Sequence, residues 1–367
     1  MRISGSRIFT DGRFISGSIE FDQKIRSILP GKDEKADGAY IIPGLIDIHT
    51  HAAMGADASD GDPEGMLAMS RYYAAGGVTS WCPTTMTLKE PELTKAMQVI
   101  RDFRRPEDGA KAAGVNLEGP FVSYEKRGAQ NPDNIALPDI GMLERLNEAS
   151  GGLVRLITLA PELEGAMDFI RQAARICTVS LGHSAADYET AVKAYGAGAS
   201  HTTHLFNAMP SLHHRNPGLI AAAFDCGASA ELICDGFHVH PAMVRMAWQI
   251  FEERIVLISD SLRCAGMPDG EYSLGGQPVS MKGGKATLSG TDTLAGSSIH
   301  LMEGLRRAVK FGIPLRDAVR AATEIPARVI GIDSETGSIS PGKAADLLLL
   351  DEQLNVLAVY VDGKRVR

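Results

Sequence analysis

The middle of the chain repeats one unit: a short, nearly unbroken apolar run, a polar or glycine-rich loop, then a stretch with helical periodicity. The apolar runs are Leu45–Ile48, Val78–Cys82, Gly114–Leu117, Val154–Leu159, Thr178–Leu181, Ala199–Thr203, Glu231–Cys234 and Ile255–Ser259. Runs without polar alternation suit strands buried on both faces, as in a parallel sheet. Helical patterns cover Glu64–Ala75, Glu90–Phe103, Leu163–Arg175, Ala185–Tyr195 and Pro241–Phe251. Asp62 before Pro63 reads as an N-cap followed by proline at the first helical position. Eight strands with intervening helices predict a (β/α)8 TIM-type barrel of class α/β; an open doubly wound sheet rarely needs eight units.

The two ends follow a different rhythm. Residues Met1–Tyr40 alternate strand-like pieces (Arg2–Phe9, Arg13–Phe21, Ile25–Leu29) with Gly and Asp turns. The tail from Gly337 adds Asp346–Leu350 and Val356–Val361 before a turn at Asp362–Gly363. Neither end is large enough to bury a core alone. They are expected to pair as a small β-sandwich domain, residues 1–43 plus 337–367, beside a catalytic barrel of residues 44–336. Glycine pairs at 275–276 and 283–284, within Tyr272–Leu288, predict hairpins inserted after the eighth strand.

Composition narrows the class. With 367 residues, 44% hydrophobic and 22% charged, the chain can bury a large core and is not disordered. Its formal charge of −8 argues against a non-specific nucleic-acid binder, which needs a basic face. An anionic small substrate stays compatible, because a few local cations suffice. No apolar run approaches the roughly 20 residues of a membrane helix, and the opening MRISGSRIFTDGRF has no signal-like apolar core. Cys82, Cys177, Cys226, Cys234 and Cys264 are scattered without a CxxC pair, as expected of thiols in a reducing cytoplasm.

In a barrel, catalytic residues stand at the carboxyl ends of strands. His49 and His51 follow the first strand, Glu118 the third, His183 the fifth and His204 the sixth. Asp235 and His238 follow the seventh, and Asp260 the eighth. One such histidine is commonly a hydrogen-bonded core residue; imidazoles and carboxylates converging on one rim make a divalent-metal site. His49 and His51, two apart on an extended segment, point the same way and can reach one ion. Of His201 and His204, the second is at the strand tip and is the candidate ligand; His201 is expected to pack behind it.

The segments PGLIDIHTH (43–51), LEGPF (117–121), GHS (182–184), THLFNAM (203–209), DGFHVHP (235–241), SDSLRCAGMPDG (259–270) and LAGSS (294–298) occur in that order. Together with the closing IPARVIGI and GSISPGKAADLLLLD, they closely resemble the N-acetylglucosamine-6-phosphate deacetylases of the amidohydrolase superfamily. The resemblance spans essentially the whole chain. It implies a metal-dependent barrel with a β-sandwich built from both termini. By motif it makes Glu118, His183 and His204 the ligands of the main metal, and Asp260 the base that deprotonates the attacking water and later protonates the leaving nitrogen. Such relatives often carry K-K/R-G-A-H-N-P after LEGPF, the histidine polarising the scissile carbonyl. Here the segment reads Lys126-Arg127-Gly128-Ala129-Gln130-Asn131-Pro132, so Gln130 takes that catalytic position with an uncharged amide donor. Some relatives lack the HxH pair; both His49 and His51 stand here, which implies a second ion bridged by Glu118. Arg215, His238, Asn207, Ala208 and Ala129 are implied substrate-binding residues, Arg215 and His238 at the phosphate. Small residues are common in such relatives where Arg263 and Cys264 stand.

The resemblance also implies a homodimer whose partner subunit adds a cation to the phosphate site. One or two divalent ions per chain are expected, zinc first; the same N/O ligand set accepts Fe, Co or Mn. The expected reaction is deacetylation of N-acetylglucosamine-6-phosphate to glucosamine-6-phosphate and acetate, in amino-sugar catabolism. Rival readings are a deacetylase of the galacto epimer, another amidohydrolase, or a non-catalytic sugar-phosphate-binding regulator. Intact Glu118, His183, His204 and Asp260 speak against the last. A nucleobase deaminase shares the rim logic, but a phosphate site does not suit its neutral substrate.

Overall fold

A computed structural model describes residues 1–31 and 36–367. At its centre, eight parallel strands follow one another in chain order: Leu45–Thr50, Val78–Thr85, Val115–Glu118, Val154–Leu159, Thr178–Leu181, His201–Thr202, Ser229–Ile233 and Ile255–Ile258. The ends of this sheet meet through the His49 carbonyl, which accepts from the Asp260 N–H at 2.9 Å. Asp47 Oδ1 adds a contact to the Ser259 N–H at 3.3 Å. The barrel is therefore closed by the same two segments that carry His49 and Asp260 to the rim.

The alternation of strand and helix follows the sequence pattern, with local corrections at helix ends. Asp62 caps the helix Pro63–Ala75, accepting from the N–H groups of Glu64 and Gly65. The expected helix over 163–175 forms only as Ala166–Ala173, because Gly165 at φ +79° turns the chain just before it. The expected helix over 185–195 shifts to Tyr188–Ala197, because the Asp187 carboxylate caps the Thr190 N–H. Further helices form at Ile140–Ala149, Gly218–Asp225, Leu301–Lys310, Leu315–Ala321 and Glu324–Val329. The last three complete the outer ring after the hairpin insertion.

Both termini enter one seven-stranded sheet, in the order 364–365, 356–361, 347–350, 38–43, 2–10, 13–21, 25–30. The sheet folds over on itself: the Ala345 N–H donates to the Gln23 carbonyl at 3.0 Å, and the Ile25 N–H to the Lys343 carbonyl at 2.9 Å. This makes the two layers of a small sandwich. The run Leu347–Leu350 shows why four leucines stand in a row. Leu347 and Leu349 point into the sandwich core with Ile8, Ile41 and Tyr360. Leu348 and Leu350 point the other way, into the barrel core with Phe9, Ile42 and Val359. A strand's side chains alternate between faces, so both faces of this one are apolar.

The insertion after the eighth strand is a four-stranded antiparallel sheet: Gly270–Leu274, Gln277–Lys282, Lys285–Leu288 and Leu294–Ser297. Its inner face packs Leu274, Val279 and Met281 on Met86 and Leu262 of the barrel rim. Among the described residues, no helix is long and apolar enough to cross a membrane.

Leu348 is fully buried where the terminal sheet packs on the barrel core. Leu348→Ala is expected to lower the unfolding free energy by about 3 kcal/mol in a urea titration, the usual scale for a leucine cavity. A loss under about 1 kcal/mol would show that this strand does not seal the junction.

Candidate metal centre and active-site cavity

Strand ends deliver the polar side chains, and the backbone turns sharply where they do. His183 (φ 45°), His204 (φ 25°) and Asp260 (φ 48°) all occupy the left-handed region, which non-glycine residues enter at a cost of about 1–2 kcal/mol. Such strain persists where surrounding contacts over-determine it, and it concentrates at functional sites. Here it bends each strand tip so that its side chain faces the barrel axis.

Glu118 is the hub. Its Oε1 lies 2.9 Å from His204 Nε2, 3.1 Å from His183 Nε2 and 3.3 Å from His49 Nε2. Its Oε2 lies 3.2 Å from His51 Nε2 and 2.5 Å from Gln130 Nε2. Asp260 Oδ1 stands 3.3 Å from His51 Nε2 and 3.7 Å from His49 Nε2. All these side chains are buried. Two triplets have donor atoms close enough to share an ion: Glu118, His183 and His204, and Glu118, His49 and His51.

The donor set fits a divalent cation. His183 Nε2 and His204 Nε2 approach to 3.0 Å, so two ring nitrogens crowd one carboxylate oxygen. The buried Nε2 of His49 has no hydrogen-bond partner. A buried ring nitrogen without a partner is costly in a protein core and suits a metal ligand. Burial works against charging His51, but its hydrogen bonds to Asp260 and Glu118 raise its pKa to about 10. His49 rises as well: burial opposes its charge, and Glu231 and Glu118 outweigh it. Burial likewise opposes ionised Glu118, and His49 and His183 outweigh it, holding the carboxyl well below its usual range. Asp260 is lowered for the same reason, burial being overcome chiefly by the hydrogen bond to His51. Ligation asks for ionised carboxylates and neutral imidazoles, so binding a cation here would release the histidine protons.

A second row of groups orients the first. Glu231, inside the seventh strand and fully buried, binds His49 Nδ1 at 2.8 Å and the His204 N–H at 3.0 Å through Oε2. Its Oε1 meets His201 Nε2 at 3.2 Å. His49 therefore carries its proton on Nδ1 and presents Nε2 toward Glu118. His201 holds Ser229 Oγ at 2.6 Å on its other nitrogen and belongs to neither ligand triplet. The Thr84 carbonyl fixes His51 Nδ1 at 3.1 Å, and the Lys126 carbonyl fixes His183 Nδ1 at the same distance. Gln130 is locked at both ends, its Oε1 accepting from the Thr87 N–H at 2.8 Å while Nε2 donates to Glu118.

Glu231 was not singled out from the sequence. The signal was there: one carboxylate inside an otherwise apolar strand, Ala230-Glu231-Leu232-Ile233. A buried charge at such a place needs a partner.

The cluster floors a cavity of about 340 Å³. Ala129, Gln130, Asn207, Ala208 and His238 line it, together with His51, Glu118, His183, His204 and Asp260. His238 Nδ1 is 2.7 Å from Asp235 Oδ2. Burial disfavours the His238 cation, but the hydrogen bond to Asp235 raises its pKa overall. Arg215 is not brought into this cavity: it is exposed on an outer loop, with Nη1 2.9 Å from His214 Nε2. Leu274 and the segment from Asp292 to Gly296 of the inserted sheet close one side, a wall the sequence reading did not assign. Arg263 ties that sheet down, binding Asp60 through both carboxylate oxygens and the Ser273 carbonyl at 3.1 Å. Cys264 packs into the apolar layer beneath the hairpins.

Glu231→Leu is expected to weaken metal binding by at least about ten-fold in equilibrium dialysis, with fewer ions per chain, because His49 loses its fixed tautomer. Glu231→Gln, which still offers an acceptor oxygen, should retain most of the metal. Full metal retention in the folded leucine variant, checked by circular dichroism, would show that Glu231 does not set His49.

The profile of the Amidohydrolase family matches residues 40–366. The chain is similar to the N-acetylgalactosamine-6-phosphate deacetylase of Escherichia coli O157:H7, at 37% identity over 92% of this chain and 90% of that one. It is equally similar, at 37% identity, to the N-acetylglucosamine-6-phosphate deacetylase of Bacillus subtilis (strain 168), over 89% of this chain and 84% of that one. The crystal structure of N-acetyl-D-glucosamine-6-phosphate deacetylase from Mycobacterium smegmatis superposes with a TM-score of 0.94 at 32% identity, covering 100% of both chains. With a closed barrel, a buried cluster of imidazoles and carboxylates at its rim, and these likenesses along the whole length, the chain belongs to the amidohydrolase family.

Proposed function

We propose that the chain removes the acetyl group from N-acetylglucosamine-6-phosphate, releasing acetate and glucosamine-6-phosphate. The observation that carries this reading is the placement of Asp260 beside the Glu118–histidine cluster, on the floor of a cavity that His238 also lines. Glu118, His183 and His204 would hold one divalent cation, zinc first, and Glu118 with His49 and His51 a second. Such a cation polarises an amide carbonyl and lowers the pKa of the attacking water.

The chain's own groups account for the remaining chemistry. Asp260, ionised, takes a proton from the attacking water as its oxygen bonds to the acetyl carbon. The same proton then passes from Asp260 to the amide nitrogen, the C–N bond breaks, and acetate and the free amine leave. Gln130 has two N–H groups on Nε2; one is bound to Glu118, and the other is available to the carbonyl oxygen of the substrate. His238, with Asp235 behind it, and the segment Asn207–Ala208 would receive the sugar phosphate, with Ala129 bordering the acetamide end.

Arg215 reaches away from its own cavity, and this supports a homodimer in which it serves the partner's phosphate site. A cytoplasmic location accords with the scattered thiols and with a phosphorylated substrate. The galacto epimer is the second reading, favoured by likeness to a relative named for it.

Steady-state kinetics on both epimeric 6-phosphates and on unphosphorylated N-acetylglucosamine, with metal content measured on the same sample, tests the proposal. The gluco phosphate is expected to have the highest kcat/KM, and the unphosphorylated sugar to be poor. Preference for the galacto phosphate would move the assignment to the second reading, and no turnover of either would sink both. Asp260→Asn is expected to keep metal content near wild type while kcat falls by at least ~10²-fold, the usual scale for a positioned base. Ordinary turnover in that variant would remove Asp260 as the proton carrier.

A further inference from the structure

Of the 24 arginines in the chain, four make no side-chain hydrogen bond or ion pair among the described residues: Arg13, Arg155, Arg175 and Arg328. Three of those four line a single cavity of about 370 Å³. It lies at the starts of the fourth and fifth barrel strands and below the end of the helix Glu324–Val329, on the face opposite the metal cluster. No carboxylate is among its lining residues. Glu253, the acid that feels Arg328 at longer range, is already bound to Arg320, with Oε2 3.0 Å from Nη2.

The local chain makes room for this arrangement. Arg155 is half-buried and crosses Gly114, where even a Cβ would come within 2.1 Å of the arginine Cγ. Its Nε is buried without a hydrogen-bond partner. Arg175 and Arg328 are exposed and complete the opening. Three like charges around one concavity repel one another, in a molecule whose net charge is −8 and which has carboxylates to spare. Guanidinium groups match phosphate oxygens through paired N–H donors, and three of them more than offset the charge of a dianion.

We propose that this cavity is a second anion site, remote from catalysis, that takes a phosphate group, either free or carried by a small monoester. The inference is independent of the reaction assigned to the metal-bearing cavity. Calorimetric titration of metal-loaded protein with inorganic phosphate, and separately with glucose-6-phosphate, tests it.

The wild type is expected to bind phosphate at a site that the double variant Arg175→Gln/Arg328→Gln weakens by at least about ten-fold. Acetate release measured without added phosphate should be unchanged in that variant, since neither residue touches the reacting groups. Stronger binding of glucose-6-phosphate than of phosphate at the variant-sensitive site identifies an ester as the ligand; the reverse order identifies the free anion. Superimposable isotherms for wild type and variant with both probes would overturn the site. So would a loss of binding accompanied by a matching loss of turnover, which would assign the anion to the catalytic cavity instead.

Discussion

A carboxylate buried in the middle of a barrel cannot stay charged without partners, and Glu118 is such a carboxylate. Moving an ion of that size out of water costs several kcal/mol even after relaxation. Four imidazoles and one amide crowd its two oxygens in return. The ligands come from the first, fifth and sixth strands, so the cluster can assemble only if the sheet closes into a cylinder. That closure passes through His49 and Asp260, whose backbones are hydrogen-bonded across the seam. The complete cluster, with His49, His51 and Asp260 in it, therefore exists only in the closed ring.

Around this hub the polar groups form a network with little freedom. Glu231 binds two histidine side chains and the backbone of a third, and so joins the first, sixth and seventh strands beneath the rim. Gln130 reaches between the Thr87 amide and Glu118, which ties the loop after the third strand to the end of the second. A buried network of this kind rigidifies the site and specifies its geometry. Stability comes from the apolar layers, above all from the terminal sheet, whose leucines alternate between its own core and the barrel's.

The two faces of the barrel divide the work. The carboxyl-end face holds the acids and imidazoles, roofed by the hairpin sheet that Arg263 anchors. The opposite face gathers arginines that no acid neutralises. Net charge alone says nothing of this grouping. It arises because the fold brings together Arg155 at the start of the fourth strand, Arg175 after the helix Ala166–Ala173 and Arg328 in the helix Glu324–Val329.

Period and punctuation in the sequence determined the architecture: eight apolar runs, their strand-end histidines and acids, the β-rich termini and the paired glycines of the insertion all stand where the pattern puts them. These features are legible because they depend on neighbours a few residues away, through side-chain alternation, helical repeat and turn chemistry. Helix ends were less legible, since a side-chain cap at Asp187 or a left-handed glycine at Gly165 competes locally with the periodic signal. Only the tertiary structure decided that Glu231 stands behind His49, a contact across 182 residues, that Gln130 grips Glu118 rather than facing solvent, and that Arg215 is not among the residues lining its own cavity. Such pairings are set by how the closed sheet brings strand ends together, and nothing in the local sequence of either partner carries that information.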